Sequence, residues 1–269
     1  MWAQMETGRL FSMPTSSSKA PYKNPSIHLF VNGFSFCTPS KTEYIPTTEE
    51  SEDFESVVLE LFSFYPKDSF HQTQIISYYQ PATFVPVKFF NKKHISNYLA
   101  FSGKIPFNRI LNFDVLESEQ TVTVYTTPKK TLEILNRHLI ESTLCHYSSL
   151  LIEEVSKLSK NSDTKDQLFV HLQAGGMDLY LVENNRIRFQ NHFSIMNEDE
   201  FLYYIFFVVE QYQLETDAFD LVFLGHIQAY TRYYEVLKQY HTQIRFENNV
   251  SGAALSIEQH PAPYLAQFS

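Results

Sequence analysis

Hydrophobic residues alternate with other side chains along Ile27–Asn32, and this period of two is typical of a β-strand. Asn32-Gly33 predicts a tight turn into a second strand that ends at Cys37, because both central residues of such a turn take positive φ. A third short strand is predicted at Glu43–Ile45. The pattern therefore predicts that the chain opens with three short strands.

A helical period follows these strands. Thr47 and Glu50 have the spacing of a capping box, and Pro66 ends the predicted helix. An isolated strand is predicted next, at Thr73–Tyr79. The apolar face of the helix recurs at intervals of three and four residues, at Phe54, Val57, Val58, Leu61 and Phe62.

The same order of elements returns in the second part of the chain. Turns are predicted at Gly175-Gly176 and Asn184-Asn185, and helices at 197–212 and 229–240. A βββαβαβ unit used twice predicts two similar α/β halves that face each other across a cleft, where such folds bind ligands. The strands of the second half are predicted at Leu168–Leu172, Asp178–Val182, Arg186–Phe193, Asp220–Leu224 and Gln243–Phe246.

Residues 81–127 interrupt the first half. Three prolines, a short helical stretch near His94–Phe101 and two strand-like runs predict a small inserted subdomain there. The polar run at Asn161–Asp166 predicts the boundary between the halves. The predicted organisation is a flexible leader (1–24), a first half with the insert at about 81–127 (25–160), a second half (161–250) and a tail or final element (251–269).

Composition and charge narrow the class of protein. The chain is 43% apolar and 19% charged, which allows a normal core, and its net charge of −9 without a long basic run disfavours nucleic-acid binding. The longest apolar segment, Phe201–Val209, is too short to span a bilayer. Cys37 and Cys145 are interpreted as buried residues in a reducing compartment. Together these features predict a cytoplasmic protein without a transmembrane segment.

No sequence motif for catalysis or metal binding is present. The ten histidines show no His-Glu-x-x-His or His-x-His spacing, so no metal site is predicted. Cys145 and His146 are adjacent in a strand and point to opposite faces, so they do not form a catalytic dyad. Glu198-Asp199-Glu200 is interpreted as the acidic first turn of a helix. Only seven glycines are present, which disfavours several glycine-rich phosphate loops.

Tyr230, Tyr233 and Tyr234 crowd the last predicted helix. This crowding favours either a surface that binds a protein partner or packing against a neighbouring layer, because tyrosine suits both.

The duplicated unit with an insert in its first half resembles the actin-like ATPase superfamily, which includes actin, sugar kinases, Hsp70 and, distantly, the pilus-assembly protein PilM. More closely, the chain resembles an uncharacterised Bacteroidetes domain of unknown function (DUF3822) with that fold, in which each half is ribonuclease-H-like. The segments that carry this resemblance are 83–86, 89–90, 124–128, 145–151, 191–193, 199–204 and 224–225.

The resemblance implies three ATP loops, and the chain departs from each of them. Two of the loops read Asp-x-Gly in the superfamily and hold metal-bound water and phosphate. Here Val31-Asn32-Gly33 and Gln173-Ala174-Gly175-Gly176 keep the glycine and lack the carboxylate. The third loop, for adenosine, ends in Gly-Gly, and here it reads Gly225-His226. We therefore expect these positions to form only a vestigial cofactor-binding cleft, without a bound cofactor.

Phosphoryl transfer depends on metal and electrostatic positioning, so loss of both carboxylates predicts loss of ATP hydrolysis. The sequence favours a degenerate actin-like protein that binds another protein in an assembly or scaffold role. The alternatives are a divergent ATPase or kinase that retains nucleotide binding between the halves and replaces the carboxylates with Asp178 or Glu183, and a small-molecule sensor with a pocket near His226.

Overall fold

The computed structural model describes residues 25–38, 41–47, 54–65, 70, 72–161, 166–215, 218–247 and 259–268. Several predictions lie outside these ranges. They are the leader (1–24), the Glu50 capping position, the helix end at Pro66 and most of the predicted tail.

Thirteen strands and six helices make up the described chain. The strands are β1 (Ser26–Phe30), β2 (Gly33–Cys37), β3 (Thr42–Pro46), β4 (Thr73–Ser77), β5 (Ala82–Pro86), β6 (Arg109–Leu116), β7 (Thr121–Pro128), β8 (Ser142–His146), β9 (Asp166–Gln173), β10 (Gly176–Glu183), β11 (Arg186–Ser194), β12 (Phe219–Leu224) and β13 (Ile244–Glu247). The helices are α1 (Phe54–Ser63), α2 (Ile95–Ser102), α3 (Lys129–His138), α4 (Tyr147–Lys160), α5 (Glu198–Gln211) and α6 (Ile227–Leu237).

The strand order is the same in two five-stranded sheets. One sheet has the order β3-β2-β1-β4-β8, and the other has the order β11-β10-β9-β12-β13. In both sheets the first strand pairs in parallel with the strand that follows the first helix, β4 or β12. This repeat confirms the predicted duplicated α/β fold.

Close packing divides the described residues into two compact units, one from within 1–34 and 47–149 and the other from within 35–46 and 150–269. The division at residues 160–161, which rested on the polar run at Asn161–Asp166, stays a prediction. In the second unit α5 and α6 pack on the sheet through a core that includes Leu179, Phe201 and Phe223. Within the described ranges, none of the helices combines the length and apolar character that a bilayer span requires.

Residues 82–128 form a third sheet, of order β5-β7-β6, with α2 packed on it. The strand β5 was not predicted, because Pro81 and Pro86 bracket it and were interpreted as breaks. It is an edge strand, where proline is tolerated since a missing N–H removes no bond from the interior of the sheet.

Two predicted turns lie one residue earlier in the structure. The turns occupy Val31-Asn32 and Ala174-Gly175, so Gly33 and Gly176 are the first residues of β2 and β10. The turn at Asn184-Asn185 is placed as predicted, with φ of 50° and 59°. The Asn-Gly and Gly-Gly pairs thus predict the two hairpins correctly, but they do not determine which two residues occupy each turn.

The tyrosines of α6 pack inside their own unit. Tyr230 and Tyr233 are buried, and the Tyr234 ring lies edge-on to Phe246 at 5.6 Å. The interpretation of this helix as a partner-binding surface is therefore wrong, and the tyrosines pack against a neighbouring layer.

Candidate functional site

The turn that corresponds to the second Asp-x-Gly loop is closed by the chain itself. Its central amide, the N–H of Ala174, donates to the carbonyl oxygen of Pro261 at 2.7 Å. In the same turn the Gly175 carbonyl accepts from the N–H of Ile195 at 3.3 Å. The central amide of this turn is therefore already hydrogen-bonded within the chain.

Pro261 belongs to a C-terminal segment, defined here as residues 259–266, that is packed into the second unit. His260 and Leu265 are fully buried, and Tyr264 is almost so. The Tyr264 ring lies 6.2 Å from that of His171, and its hydroxyl donates to Glu154 at 3.5 Å. Burial lowers the pKa of His260 to about 3, so this imidazole is neutral and its Nδ1 accepts the N–H of Ala262 at 3.0 Å.

Two tyrosine side chains lie beside the loop at Gly225-His226. Gly225 has φ of +129°, and a Cβ on it would stand 3.3 Å from the Tyr230 ring and 3.9 Å from Cβ of Tyr264. His226 precedes α6, and its side chain makes no cap hydrogen bond. The space beside this glycine is thus taken by two tyrosines.

The Tyr230 hydroxyl joins β9 to the Gly225 loop. It donates to the carbonyl oxygen of Leu224 at 2.6 Å and accepts from the N–H of Leu172 at 2.8 Å. Burial raises the pKa of Tyr230, and the charge of Asp178 acts in the same direction against the opposing bond from Leu172. The tyrosine therefore remains a neutral donor that holds the two segments together.

A buried aspartate lies behind these loops between two histidines, and we call His171, Asp178 and His192 the histidine–aspartate cluster. Asp178 accepts hydrogen bonds from Nδ1 of His171 and from Nδ1 of His192, each at 2.9 Å. Gln173 donates its Nε2 to the same carboxylate at 2.9 Å. Both carboxylate oxygens are therefore engaged within the second unit.

The cluster is electrostatically coupled. Burial by itself raises the pKa of Asp178, but the hydrogen bonds and charges of His171 and His192 outweigh it and hold the pKa below its usual range. Burial lowers the pKa of His192, but the hydrogen bond and charge of Asp178 outweigh it and raise that pKa. The geometry thus favours an ionised carboxylate beside a protonated His192.

Strand register brings the three residues together. The turn at Ala174-Gly175 sets Asp178 opposite His171, and a β-bulge in the β10–β11 hairpin sets Asp178 opposite His192. Without that bulge the register would shift by one and turn His192 to the other face of the sheet. Sequence analysis found neither pairing, because its turn at Gly175-Gly176 would set Asp178 opposite Gln173 and because the bulge leaves no clear signal in the sequence.

Gly176 is required by this cluster. A Cβ at this position would lie 2.5 Å from Cε1 and 2.8 Å from Nε2 of His192, and 2.9 Å from the Phe193 carbonyl oxygen. This glycine, predicted as part of a phosphate loop, therefore lets the His192 ring lie against β10.

We expect Gly176→Ala to lower the free energy of unfolding by about 1–3 kcal/mol, because the new methyl group overpacks the His192 ring. Urea unfolding of the single variants and of Gly176→Ala/His192→Ala measures this in a double-mutant cycle. The glycine substitution should be less costly once the ring is removed. Additivity within about 0.5 kcal/mol would contradict the contact.

The first predicted loop lies in the other unit. The carbonyl oxygen of Asn32 accepts the N–H of Thr47 at 3.2 Å, and Val31, at the position of the missing carboxylate, is exposed. Gly33 is buried at the start of β2. Of the predicted glycines, Gly176 lies against His192 of the histidine–aspartate cluster, and Gly225 lies beside Tyr230 and Tyr264.

Sequence analysis also missed Asp114, a buried acid of the first unit. Its carboxylate accepts from the Tyr125 hydroxyl at 3.0 Å, the Ser149 hydroxyl at 2.7 Å and the N–H of His146 at 2.8 Å. These partners surround the start of α4, where a negative charge is favourable. Asp114 therefore anchors a helix terminus, and its partners are too distant in sequence to be predicted.

The chain is similar to a protein family of unknown function and to solved structures with an actin-like ATPase fold. A family model described as a protein of unknown function (DUF3822) matches residues 14–244. A crystal structure from Bacteroides thetaiotaomicron, described as a protein with actin-like ATPase fold and unknown function, is similar with a TM-score of 0.70 at 20% identity, over 84% of this chain and 92% of that chain.

A second solved structure, the PilM-PilN type IV pilus biogenesis complex, is similar with a TM-score of 0.53 at 10% identity, over 93% of this chain and 97% of that chain. No functionally curated protein matches the chain. These likenesses establish the actin-like ATPase fold.

Proposed function

Since this chain belongs to the DUF3822 family, whose model matches residues 14–244, we propose that it is a degenerate actin-like protein that binds another protein in an assembly or scaffold role. The proposal includes loss of ATP hydrolysis. The main support for the proposal is the hydrogen bond from the Ala174 amide to the carbonyl oxygen of Pro261. Because of this bond, the chain's own C-terminal segment occupies a donor that a phosphate would need.

The residues of the second unit do not fit a magnesium–nucleotide complex. Mg²⁺ bound with phosphates needs carboxylate oxygens or the waters that they hold. Gln173 stands at the carboxylate position, and its amide is committed to Asp178. The space beside Gly225 is filled by Tyr230 and Tyr264.

The acids that could replace the lost carboxylates are already engaged. Asp178 accepts hydrogen bonds from two histidines and Gln173. Glu183 lies at the opposite end of β10 from Gly176 and pairs with Nε of Arg188 at 3.0 Å. These contacts favour the non-catalytic function over a divergent ATPase or kinase.

Protein binding is supported by the class of fold and by exposed aromatic residues. The PilM neighbour is described in a complex with PilN, and we extend binding of a protein partner to this chain as part of the proposal. The exposed rings of Tyr203 and Phe207 stack on α5 at 6.3 Å, which is the type of surface that partners cover. Cys37 and Cys145 are buried and not disulfide-bonded, which supports a location in the cytoplasm.

We expect thermal unfolding of the purified protein to be unchanged by millimolar Mg-ATP, because no described loop of the second unit offers a free phosphate site. Magnesium without nucleotide is the control. Ligand at a hundredfold above its Kd would stabilise the native state by about 2.7 kcal/mol, which corresponds to a rise in Tm of about 5–11 °C.

A rise of that size would overturn the proposal and favour the divergent ATPase or kinase. Gly175 and Gly225, whose φ values of +78° and +129° favour glycine, would then be the first positions to substitute.

A further inference from the structure

The third sheet and its helix differ in charge from the rest of the molecule. The chain has a net charge of −9, yet no acidic residue stands between Asp68 and Asp114. This interval contains Arg109 and four lysines that are all exposed, Lys88, Lys92, Lys93 and Lys104. A local cationic surface is therefore embedded in an acidic protein.

The fold of this region turns one side of α2 outward. Ile95 and Leu99 are buried against the sheet in a small core with Val85, Val122 and Val124. The residues between them on the helix, Ser96 and Asn97, are exposed. Because the helix has only eight residues, its outward side is about 12 Å long.

Three phenylalanines stand exposed around this helix. Phe89 precedes it, Phe101 lies in its last turn, and Phe107 follows in the loop after Gly103; their side chains are 65%, 92% and 91% exposed. The ammonium group of Lys88 lies 4.8 Å from the centre of the Phe89 ring. We call these three rings, with Lys88, Lys93 and Lys104, the lysine–phenylalanine surface.

We propose that the lysine–phenylalanine surface binds the anionic head-group layer of a lipid bilayer. Rings this exposed can enter the boundary between head groups and acyl chains, while lysines beside them contact lipid phosphates. Five cationic residues of the region 82–128 outnumber its three acids, Asp114, Glu117 and Glu119, so its net charge is positive and attracts an anionic membrane. The rings stand at the two ends of α2 rather than in one apolar groove, which favours a lipid surface over a single protein segment.

Lipid binding of this kind is a function beyond the proposed assembly role. Either proposal can be disproved without affecting the other. The test is co-sedimentation of the full chain with vesicles of 70% phosphatidylcholine and 30% phosphatidylglycerol, with pure phosphatidylcholine vesicles in parallel. We expect binding to the anionic vesicles that weakens as salt is raised.

Two variants test the two components of the surface. Phe101→Ser/Phe107→Ser should lower the partition coefficient about a hundredfold, taking a factor of about ten for each ring. Lys93→Gln/Lys104→Gln should lower it about 25-fold, since each lysine near an anionic surface is worth a factor of about five. Circular dichroism establishes that each variant is folded.

Matched controls use the same substitutions elsewhere. Phe64→Ser replaces another exposed phenylalanine, and Lys157→Gln/Lys160→Gln replaces two exposed lysines of α4; both should bind as the native protein does. Equal binding to both kinds of vesicle, or binding that survives the two test variants, would overturn the proposal. Binding to polyglutamate but not to anionic vesicles would also overturn it, in favour of an acidic protein partner.

Discussion

Replacing Asp178 by alanine is expected to lower the free energy of unfolding by about 3–5 kcal/mol, the cost of breaking a buried charged pair by removing one partner. The carboxylate accepts hydrogen bonds from His171, His192 and Gln173, and the substitution would remove all three of these bonds. At about 2–4 °C for each kcal/mol, Tm should fall by about 6–20 °C. Thermal and urea unfolding of the two proteins measure this difference.

Asp199→Ala is the matched control, because Asp199 is an exposed acid in the first turn of α5. It should cost no more than about 1 kcal/mol. If Asp178→Ala cost as little as this control, the histidine–aspartate cluster would not exist as described.

The effect of Asp178→Ala should depend on pH in a defined window. The pKa of Asp178 is lower in the folded state, so its contribution is present at neutral pH and is lost as pH falls below about 4. The pKa of His192 is raised, so its contribution is present below about pH 6.5 and is lost as pH rises through the folded-state value.

The difference in stability between native and variant proteins should therefore be largest between about pH 4 and 6.5. Comparing the two proteins at each pH cancels the separate effect of His260. The lowered pKa of His260, about 3, destabilises both proteins as pH falls below about 6.5.

Replacing Leu265 by alanine is expected to lower the free energy of unfolding by about 2–5 kcal/mol, because the side chain is fully buried and leaves a cavity. Tyr264→Ala should cost a similar amount through loss of a ring packed beside His171 and Gly225. Urea unfolding of each variant gives the values. Large losses would mean that the C-terminal segment is an integral layer of the second unit.

Met196→Ala provides the control, since this side chain of the same unit is exposed and its truncation should change stability by less than about 0.5 kcal/mol. A loss below about 1 kcal/mol for both Leu265→Ala and Tyr264→Ala would show that the segment does not stay packed in solution. The hydrogen bond between Ala174 and Pro261 would then no longer support the proposed function.

Much of the fold could be predicted from local patterns. The apolar spacing of α1 and α5, the strands from β1 to β4 and the Asn184-Asn185 turn all follow from periods and turn residues that act over a few positions. The strand β5 was missed because proline is a reliable break only in interior strands. The α6 tyrosines kept two interpretations open because their spacing is the same whether a partner or the protein's own sheet covers them.

The site was less predictable than the fold. The positions of Gly175, Gly176 and Gly225 could be found by resemblance, but their surroundings could not. Gly176 accommodates His192 because of a bulge between Leu181 and Val182, and Gly225 faces a tyrosine from a segment that patterning describes only as a tail. Contacts of this kind join residues whose separation in sequence carries no period.

By itself, the sequence determined the repeated order of strands and helices, the membership of the α/β class and the loss of two carboxylates, because each depends on residue identity or on local periodicity. The tertiary structure alone decided that Asp178 is bound by two histidines, that Pro261 closes the Ala174 turn, and that Phe101 and Phe107 are exposed. The physical reason is that register, burial and long-range hydrogen bonds are set by how the elements pack, and packing is a property of the whole chain.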